Sequence, residues 1–444
     1  MIKNYNNLIF TLMNRDLFHS LKVWKGRSDR KPLLIRGARQ VGKTWLMKEF
    51  GKSEYSQVAY FNFESNPLLK NIFEADYDIN RILLALEIES GLKLNHTDTL
   101  IVFDEIQEAK GGLTSLKYFQ ENAPDYHILA AGSLLGVALH RGTSFPVGKV
   151  EFLDLYPLNF AEFLDAVGDS KLVEILNLGD WSLITAFKSR LIERMKQYYF
   201  VGGMPEVVSN YASNLDFKAV RRLQKNILLA YEQDFAKHAP MEIVPRIRMV
   251  WNSIPAQLTK ENKKFIYGLI KEGARAREFE MAIEWLLDCG LLHKVSQISK
   301  PAFPLSAYEN LTAFKLYHLD LGLLAASSDL DERTILDGNK IFTEFKGSIT
   351  EQYVLQQLIA NGVDKVFYWS GENLRSEVDF LIQLNGKVIP VEVKAEENLQ
   401  AKSLKVFVEK FQPQIAIRSS MSDYRKESWM TNWPLYTIHL LLKT

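Results

Sequence analysis

The sequence has 444 residues, too many for one hydrophobic core, and predicts two or three domains. Hydrophobic residues make up 47% and charged residues 24%, a soluble globular balance, and the formal net charge of +1 excludes a globally basic nucleic-acid coat. The single cysteine, Cys289, sits in an apolar run and reads as a buried thiol, with no disulfide or zinc spacing.

The start, Met1 to Asn7, has no basic region leading into an apolar signal core, and no apolar stretch is long enough to span a bilayer. These absences predict a cytoplasmic protein without a membrane partner. The first informative element is Pro32–Arg36, a short apolar run that reads as a buried strand. It leads into Gly37-Ala38-Arg39-Gln40-Val41-Gly42-Lys43-Thr44, the full G-x-x-x-x-G-K-[ST] phosphate-loop pattern, and Trp45–Phe50 continues as a helix. Backbone N–H groups of such a loop surround a β-phosphate, where the helix dipole favours negative charge. Gly37 and Gly42 permit the tight turn, Lys43 reaches the β/γ-phosphates of ATP, and the Thr44 hydroxyl binds Mg²⁺.

Further along, Val58–Phe63 reads as a strand, and Thr99–Phe103 is an apolar strand ending in Asp104 and Glu105. The first acid at such a strand end orients the Mg²⁺ water shell, and the second polarises the attacking water. Without a phosphate loop the same pair would be an ordinary strand exit. His127–Ala131 is the next strand, ending at Gly132-Ser133, where Ser133 either senses the γ-phosphate or caps the following helix. Val150–Leu155 makes a fifth. Strands alternating with helices predict a parallel, helix-covered sheet with ligand at the strand C-termini.

These residues resemble a large prokaryotic AAA-type ATPase family of the AAA+ superfamily. The resemblance is carried by Leu34–Thr44, Phe103–Gln107, Ala131–Ser133, Leu155–Phe163 and Gly202–Glu206. In that family the ATPase is followed by a C-terminal region of unknown function. The resemblance implies Lys43 and Thr44 at phosphate and Mg²⁺, Asp104 at Mg²⁺, Glu105 as base and Ser133 as sensor. AAA-type ATPases complete the site with an arginine from a neighbouring subunit, which makes Arg141 a candidate in a homo-oligomer; the alternative is a solvated loop arginine.

From Asn159 to Asp234 the periodicity is helical, broken by the turn Gly202–Pro205, as expected of a helical lid. Asn262–Ile270 and Glu278–Asp288 then read as short helices, followed by strands at Leu291–Val295 and Phe314–Leu319. Helices followed by a hairpin are the winged-helix order, with the second helix as candidate DNA reader. Between Lys263 and Lys294, six basic residues face five acidic ones, so packing or protein contact is preferred over phosphate tracking.

The stretch Val378–Lys394 holds Asn385-Gly386 between alternating runs, a two-residue hairpin signal. That turn places Asp379 opposite Glu392 and Glu377 opposite Lys394, all four on one face, with Val378, Phe380, Ile382, Ile389, Val391 and Val393 on the other. Opposed carboxylates about 5 Å apart repel, and a divalent cation between them turns the repulsion into a binding site. Lys394 would stabilise charge on a phosphate or position a water.

Asp379 with Glu392-x-Lys394 resembles the PD-(D/E)xK nuclease fold, although Val378 replaces the usual proline. The resemblance implies Glu351 as the acid on a preceding helix, with Asp379 and Glu392 as metal ligands and Lys394 as catalytic lysine. It also implies a following helix and strand, which Ala401–Phe411 and Gln414–Ile417 fit. A fold that has lost activity, or a solvated charged face, is the alternative.

The expected architecture is α/β: an AAA-type P-loop ATPase core (1–158), a helical lid (159–240), a winged-helix-like domain (241–335) and a PD-(D/E)xK nuclease-like domain (336–444). Its function is either an ATPase whose cycle controls a nuclease-like domain acting on or binding DNA, or a regulatory ATP switch whose nuclease-like domain is inactive.

Overall fold

A computed structural model describes residues 14–132, 146–260, 263–332, 343–371, 376–395 and 401–443. They divide into two compact units, 14–156 with 288–290, and 157–287 with 291–444.

The first unit is built on β1 (Leu33–Arg36), β2 (Gln57–Asn62), β3 (Thr99–Asp104), β4 (His127–Ala131) and β5 (Glu151–Asp154). All neighbours pair in parallel, in the order β2-β3-β4-β1-β5. Every residue of β3 is buried, which is why it reads as an unbroken apolar run rather than an alternation. Helix α1 (Lys43–Glu54) follows β1 directly, and α2 (Ile79–Ser90) is capped by the Asp78 side chain, which accepts from the Asn80 and Arg81 N–H groups. Phe63, Phe73 and Phe119 pack around Phe103 on β3, giving that strand's end an aromatic bed.

One buried group ties this unit to pH. His127 is 8% exposed, and its Nδ1 lies 2.6 Å from the Tyr55 hydroxyl. Burial, then the nearby Arg30, lowers its pKa from 6.5 to about 4. A folded value below the unfolded one means the unfolded chain binds more protons between these limits. Stability is therefore lost as pH falls from 6.5 toward 4, by up to ~3 kcal/mol. Hydrogen exchange of the β4 amides should show protection falling across that window in the wild type and a flatter profile in His127→Phe.

The second unit begins with six helices, α3 (Phe160–Ala166), α4 (Ser170–Leu178), α5 (Trp181–Ala186), α6 (Lys188–Val201), α7 (Pro205–Asn214) and α8 (Phe217–His238). The expected turn at Gly202–Pro205 separates α6 from α7. After α9 (Val244–Leu258) and α10 (Ala276–Asp288) come β6 (Leu292–Ile298) and β7 (Glu309–His318), then α11 (Leu321–Ser327) and α12 (Thr343–Ala360). The chain ends in β8 (Phe367–Ser370), β9 (Glu377–Leu384), β10 (Lys387–Val393), α13 (Lys402–Phe411), β11 (Ile417–Ser420), β12 (Arg425–Lys426) and β13 (Thr431–Pro434), closed by a 3₁₀ segment, Leu435–Lys443.

Two expectations change here. Of the helix expected at Asn262–Ile270, the described part, Lys263–Ile270, is not helical; a single 3₁₀ turn, Tyr267–Leu269, lies within it. The Gln257 amide brackets Ile266, donating to its carbonyl and accepting from its N–H, while Phe265 N–H donates to Phe314 O on β7. Those bonds hold Phe265 and Ile266 extended, and tertiary pairing overrides local propensity. The β6–β7 hairpin, moreover, is not a free-standing wing. Through β6, paired in parallel with β8, it joins one eight-stranded sheet ordered β12-β13-β11-β10-β9-β8-β6-β7. The sheet thus crosses the boundary expected at 335/336.

Buried glutamines on α12 knit the helices to this sheet. Gln352 accepts from the His318 N–H and donates to the His318 carbonyl, and Gln357 accepts from the Phe160 N–H. Gln356 donates to the Tyr198 hydroxyl and to Asp320. A buried amide with both ends satisfied fixes the register of what it joins.

Candidate functional site

The phosphate loop lies between β1 and α1, where its motif requires it. Gly37 has φ 147° and Gly42 φ 97°. A Cβ on Gly37 would stand 2.2 Å from the Leu155 carbonyl oxygen, so no side chain fits the loop's approach to the chain after β5. Gln40 is also left-handed, at φ 66°. Lys43, 6% exposed, donates to the carbonyls of Gly37 and Ala38, each at 2.7 Å. Burial pulls its ammonium down to about 8, against the pull of Glu105 and Asp104.

The Thr44 hydroxyl donates to Asp104 Oδ2 at 2.7 Å, which puts a hydroxyl and a carboxylate side by side as hard oxygen donors. That pair is of the donor type that fits Mg²⁺. Glu105 is left-handed at φ 51°, a strained conformation for a non-glycine residue, and Gln107 Nε2 donates to its carboxylate at 2.6 Å. Ala38, Arg39 and Val41 complete the loop, and Arg39 lies 4.0 Å from Glu64. Ser133 and Arg141 lie outside the described residues.

The second cluster lies in the eight-stranded sheet. The hairpin has the expected register, from Lys387 opposite Leu384 to Val391 opposite Phe380, with Asn385 at φ 48° and Gly386 at φ 75° in the turn. Asp379 accepts from the Val393 N–H at 2.7 Å, and Lys394 donates to Glu392 at 2.6 Å. Glu351 on α12 is also there, accepting from Lys263 at 2.5 Å and from the Tyr317 hydroxyl at 3.0 Å. Glu377 pairs not with Lys394 but with Lys315 of β7, which is fully buried and lies over the Tyr368 ring.

Nor is the other hairpin face a single apolar surface. Val378 and Leu381 pack in one cluster with Leu404 and Phe407, whereas Phe380 meets Tyr317. The β8–β9 register shifts between Phe367 and Trp369, and a shifted strand escapes the period of two.

Burial, then Glu351 and Glu392, hold the Asp379 carboxyl well above its usual range. Burial likewise raises Glu392 despite Lys394. Glu351 runs the other way: burial pushes it up, but Lys263 and Lys315 outweigh that and the net shift is down. Glu351, Asp379 and Glu392 do not form a metal-ligand set in this arrangement. Both Glu351 oxygens are engaged by Lys263 and Tyr317, and among the described residues no three His, Cys, Asp or Glu side chains are gathered to hold a metal.

Comparison with known proteins settles the class of the first unit. Residues 29–164 match the family described as AAA domain. The chain thus carries an ATPase-type P-loop domain. Residues 192–334 match a domain of unknown function (DUF8612), and residues 346–438 another (DUF4143). No curated protein matches the chain.

Solved structures similar to it include the Walker-type ATPase PABY2304 of Pyrococcus abyssi, 15% identical with a TM-score of 0.44, covering 71% of this chain and 96% of that one. The Orc1 protein of Aeropyrum pernix, solved in complex with DNA, is 13% identical with a TM-score of 0.27 over 71% of this chain and 90% of its own. A RuvB variant of Thermotoga maritima is 14% identical with a TM-score of 0.29 over 62% and 86%. Among the described residues no helix is long and apolar enough to cross a membrane, and Cys289 is buried.

Sequence reasoning missed several residues that shape these sites. Tyr60 on β2 donates to Asp104 Oδ2 at 2.7 Å, fixing the carboxylate from the neighbouring strand. Arg15, 5% exposed, donates to the Val41 carbonyl and braces the loop from outside the motif. Lys263 and Lys315 come from segments distant in sequence. None carries a local signal, because each acts through a contact that only the tertiary fold makes.

Proposed function

We propose that the protein is a Mg²⁺-dependent ATPase whose nucleotide cycle controls its C-terminal nuclease-like sheet. The observation that carries the first half is the 2.7 Å contact between Thr44 and Asp104, set beside a buried Lys43 and a strained Glu105. Lys43 would exchange its two loop carbonyls for phosphate oxygens, whose charge restores a fully protonated ammonium. Thr44 and Asp104 would hold Mg²⁺, which offsets charge on the β/γ-phosphates. Glu105, positioned by Gln107, would accept the proton of the attacking water. Cytoplasmic location and assembly into a homo-oligomer, with Ser133 and Arg141 completing the site, belong to this reading.

For the C-terminal sheet, two outputs follow from the Asp379, Glu392 and Lys394 pattern: cleavage of DNA, or binding of DNA or a protein partner without cleavage. The lysine pairing of Glu351, Glu377 and Glu392 favours the second. Incubating supercoiled plasmid and branched DNA with the protein, Mg²⁺ or Mn²⁺, and ATP separates them. No nicking under any condition, with ATP still consumed, is the expected result; metal-dependent nicking lost in Asp379→Ala would establish the nuclease instead.

A further inference from the structure

The phosphate loop is held at one point by a side chain that its motif does not contain. The Arg15 guanidinium is buried and spans two backbone carbonyls: Nη1 donates to Val41 O at 3.1 Å and Nη2 to Tyr156 O at 2.6 Å. Arg15 lies ahead of residues 29–164, the range that matches the AAA domain, so it falls outside that family pattern. The helix Leu17–Gly26 follows it, and the Phe18 ring meets Phe50 of α1 at 5.4 Å while the Phe18 N–H donates to Arg15 O at 2.9 Å. Arg15 is thus anchored beside the same helix that the loop opens.

The choice of carbonyls matters. Val41 is buried and stands between two left-handed residues, Gln40 at φ 66° and Gly42 at φ 97°. In a planar trans peptide the carbonyl and the N–H of the next residue point in opposite directions. Fixing the Val41 carbonyl toward Arg15 therefore turns the Gly42 N–H away from it. Backbone N–H groups bind phosphate in such a loop only when they converge on it, so the orientation of this peptide bears on affinity.

The second carbonyl belongs to the chain after β5. The Leu155 N–H donates to Arg36 O at 2.8 Å, and the Leu155 carbonyl leaves no room for a Cβ on Gly37, so that chain is seated against the start of the loop. A rigid guanidinium bridging Val41 and Tyr156 fixes a later point of the loop to the same support. We propose that Arg15 is a positioning residue for the nucleotide: it braces the loop against Tyr156 and aims the Gly42 N–H at the β-phosphate without touching the ligand. The inference rests on reading Gly37–Thr44 as the ATP site.

The test is calorimetric titration of the full chain with ADP in EDTA, which reads the phosphate contacts without a metal, alongside steady-state ATP turnover. Arg15→Met keeps an apolar stem and removes both donors, and ADP affinity should fall by about ten- to a hundredfold, the scale of hydrogen bonds from a charged group. At saturating MgATP its kcat should stay within about twofold of the wild type, because Lys43 and Glu105 are untouched. Arg15→Lys keeps the charge without the planar fork, so it should recover only part of the affinity; it also serves if the methionine variant does not fold. Unchanged ADP affinity in folded Arg15→Met, or Arg15→Lys indistinguishable from the wild type, would overturn the brace while leaving the ATP site intact. A kcat that falls as far as the affinity would overturn it as well, since orientation of the bound phosphate would not be the whole effect. No ADP binding by the wild type would overturn the brace and the ATP site together.

Discussion

Glu105→Gln is expected to lower ATP turnover by about 10²- to 10⁴-fold while MgATP still binds. Glutamine keeps the size and one acceptor oxygen, so the β3 exit and the Gln107 contact at 2.6 Å survive in altered form. What it removes is the capacity to take a proton. The left-handed φ of 51° at Glu105 supports a specific role, since a strained non-glycine residue persists only where its surroundings impose it. Asp104, the adjacent acid, is engaged by Thr44 and Tyr60, which leaves Glu105 as the acid suited to act on water. Steady-state phosphate release, together with nucleotide binding on the same variant, checks this. Unchanged turnover would remove Glu105 from the chemistry; lost binding would make it a structural residue of the loop.

The second large effect concerns stability. Lys315→Met is expected to destabilise the second unit by about 3–5 kcal/mol, because it strands Glu377 beside buried groups without a counter-charge. Lys315 has no solvent to retreat to, and its ammonium bonds Glu377 at 2.5 Å. Burial already raises Glu377, so the orphaned carboxyl can relieve part of the cost by taking a proton. The loss should therefore be smaller at pH 6 than at pH 8. Lys315→Met combined with Glu377→Gln removes both charges and should recover most of the stability. Urea midpoints of the three proteins at the two pH values decide the matter, and a double variant no better than the single one would show that Lys315 matters through packing instead.

Much of the first unit was legible because its signals are local. Buried parallel strands read as apolar runs, and the loop motif requires strand, turn and helix in fixed order, which Leu33–Arg36, Gly37–Thr44 and Lys43–Glu54 obey. The C-terminal hairpin was legible for the same reason. Asn385-Gly386 accepts two left-handed residues at little cost, and the turn alone sets the register.

Long-range features were not legible. Gln257 and Phe314 hold 265–266 extended against a helical pattern, β6 joins a sheet whose next strand begins at Phe367, and the shift opposite β8 breaks the alternation that placed Val378 and Phe380 together. The carboxylates were readable from their spacing; the lysines that neutralise two of them come from elsewhere in the chain. Charge balance in a buried cluster is a property of the fold, and the hairpin's own sequence showed only half of it.

Gly37–Thr44 is expected to bind MgATP. Isothermal titration of the full chain with a slowly hydrolysed ATP analogue and Mg²⁺ tests it most directly. Saturable one-site binding by the wild type, abolished in Lys43→Ala and weakened without Mg²⁺, is the predicted result. Equal binding by wild type and Lys43→Ala, or none by the wild type, would contradict it.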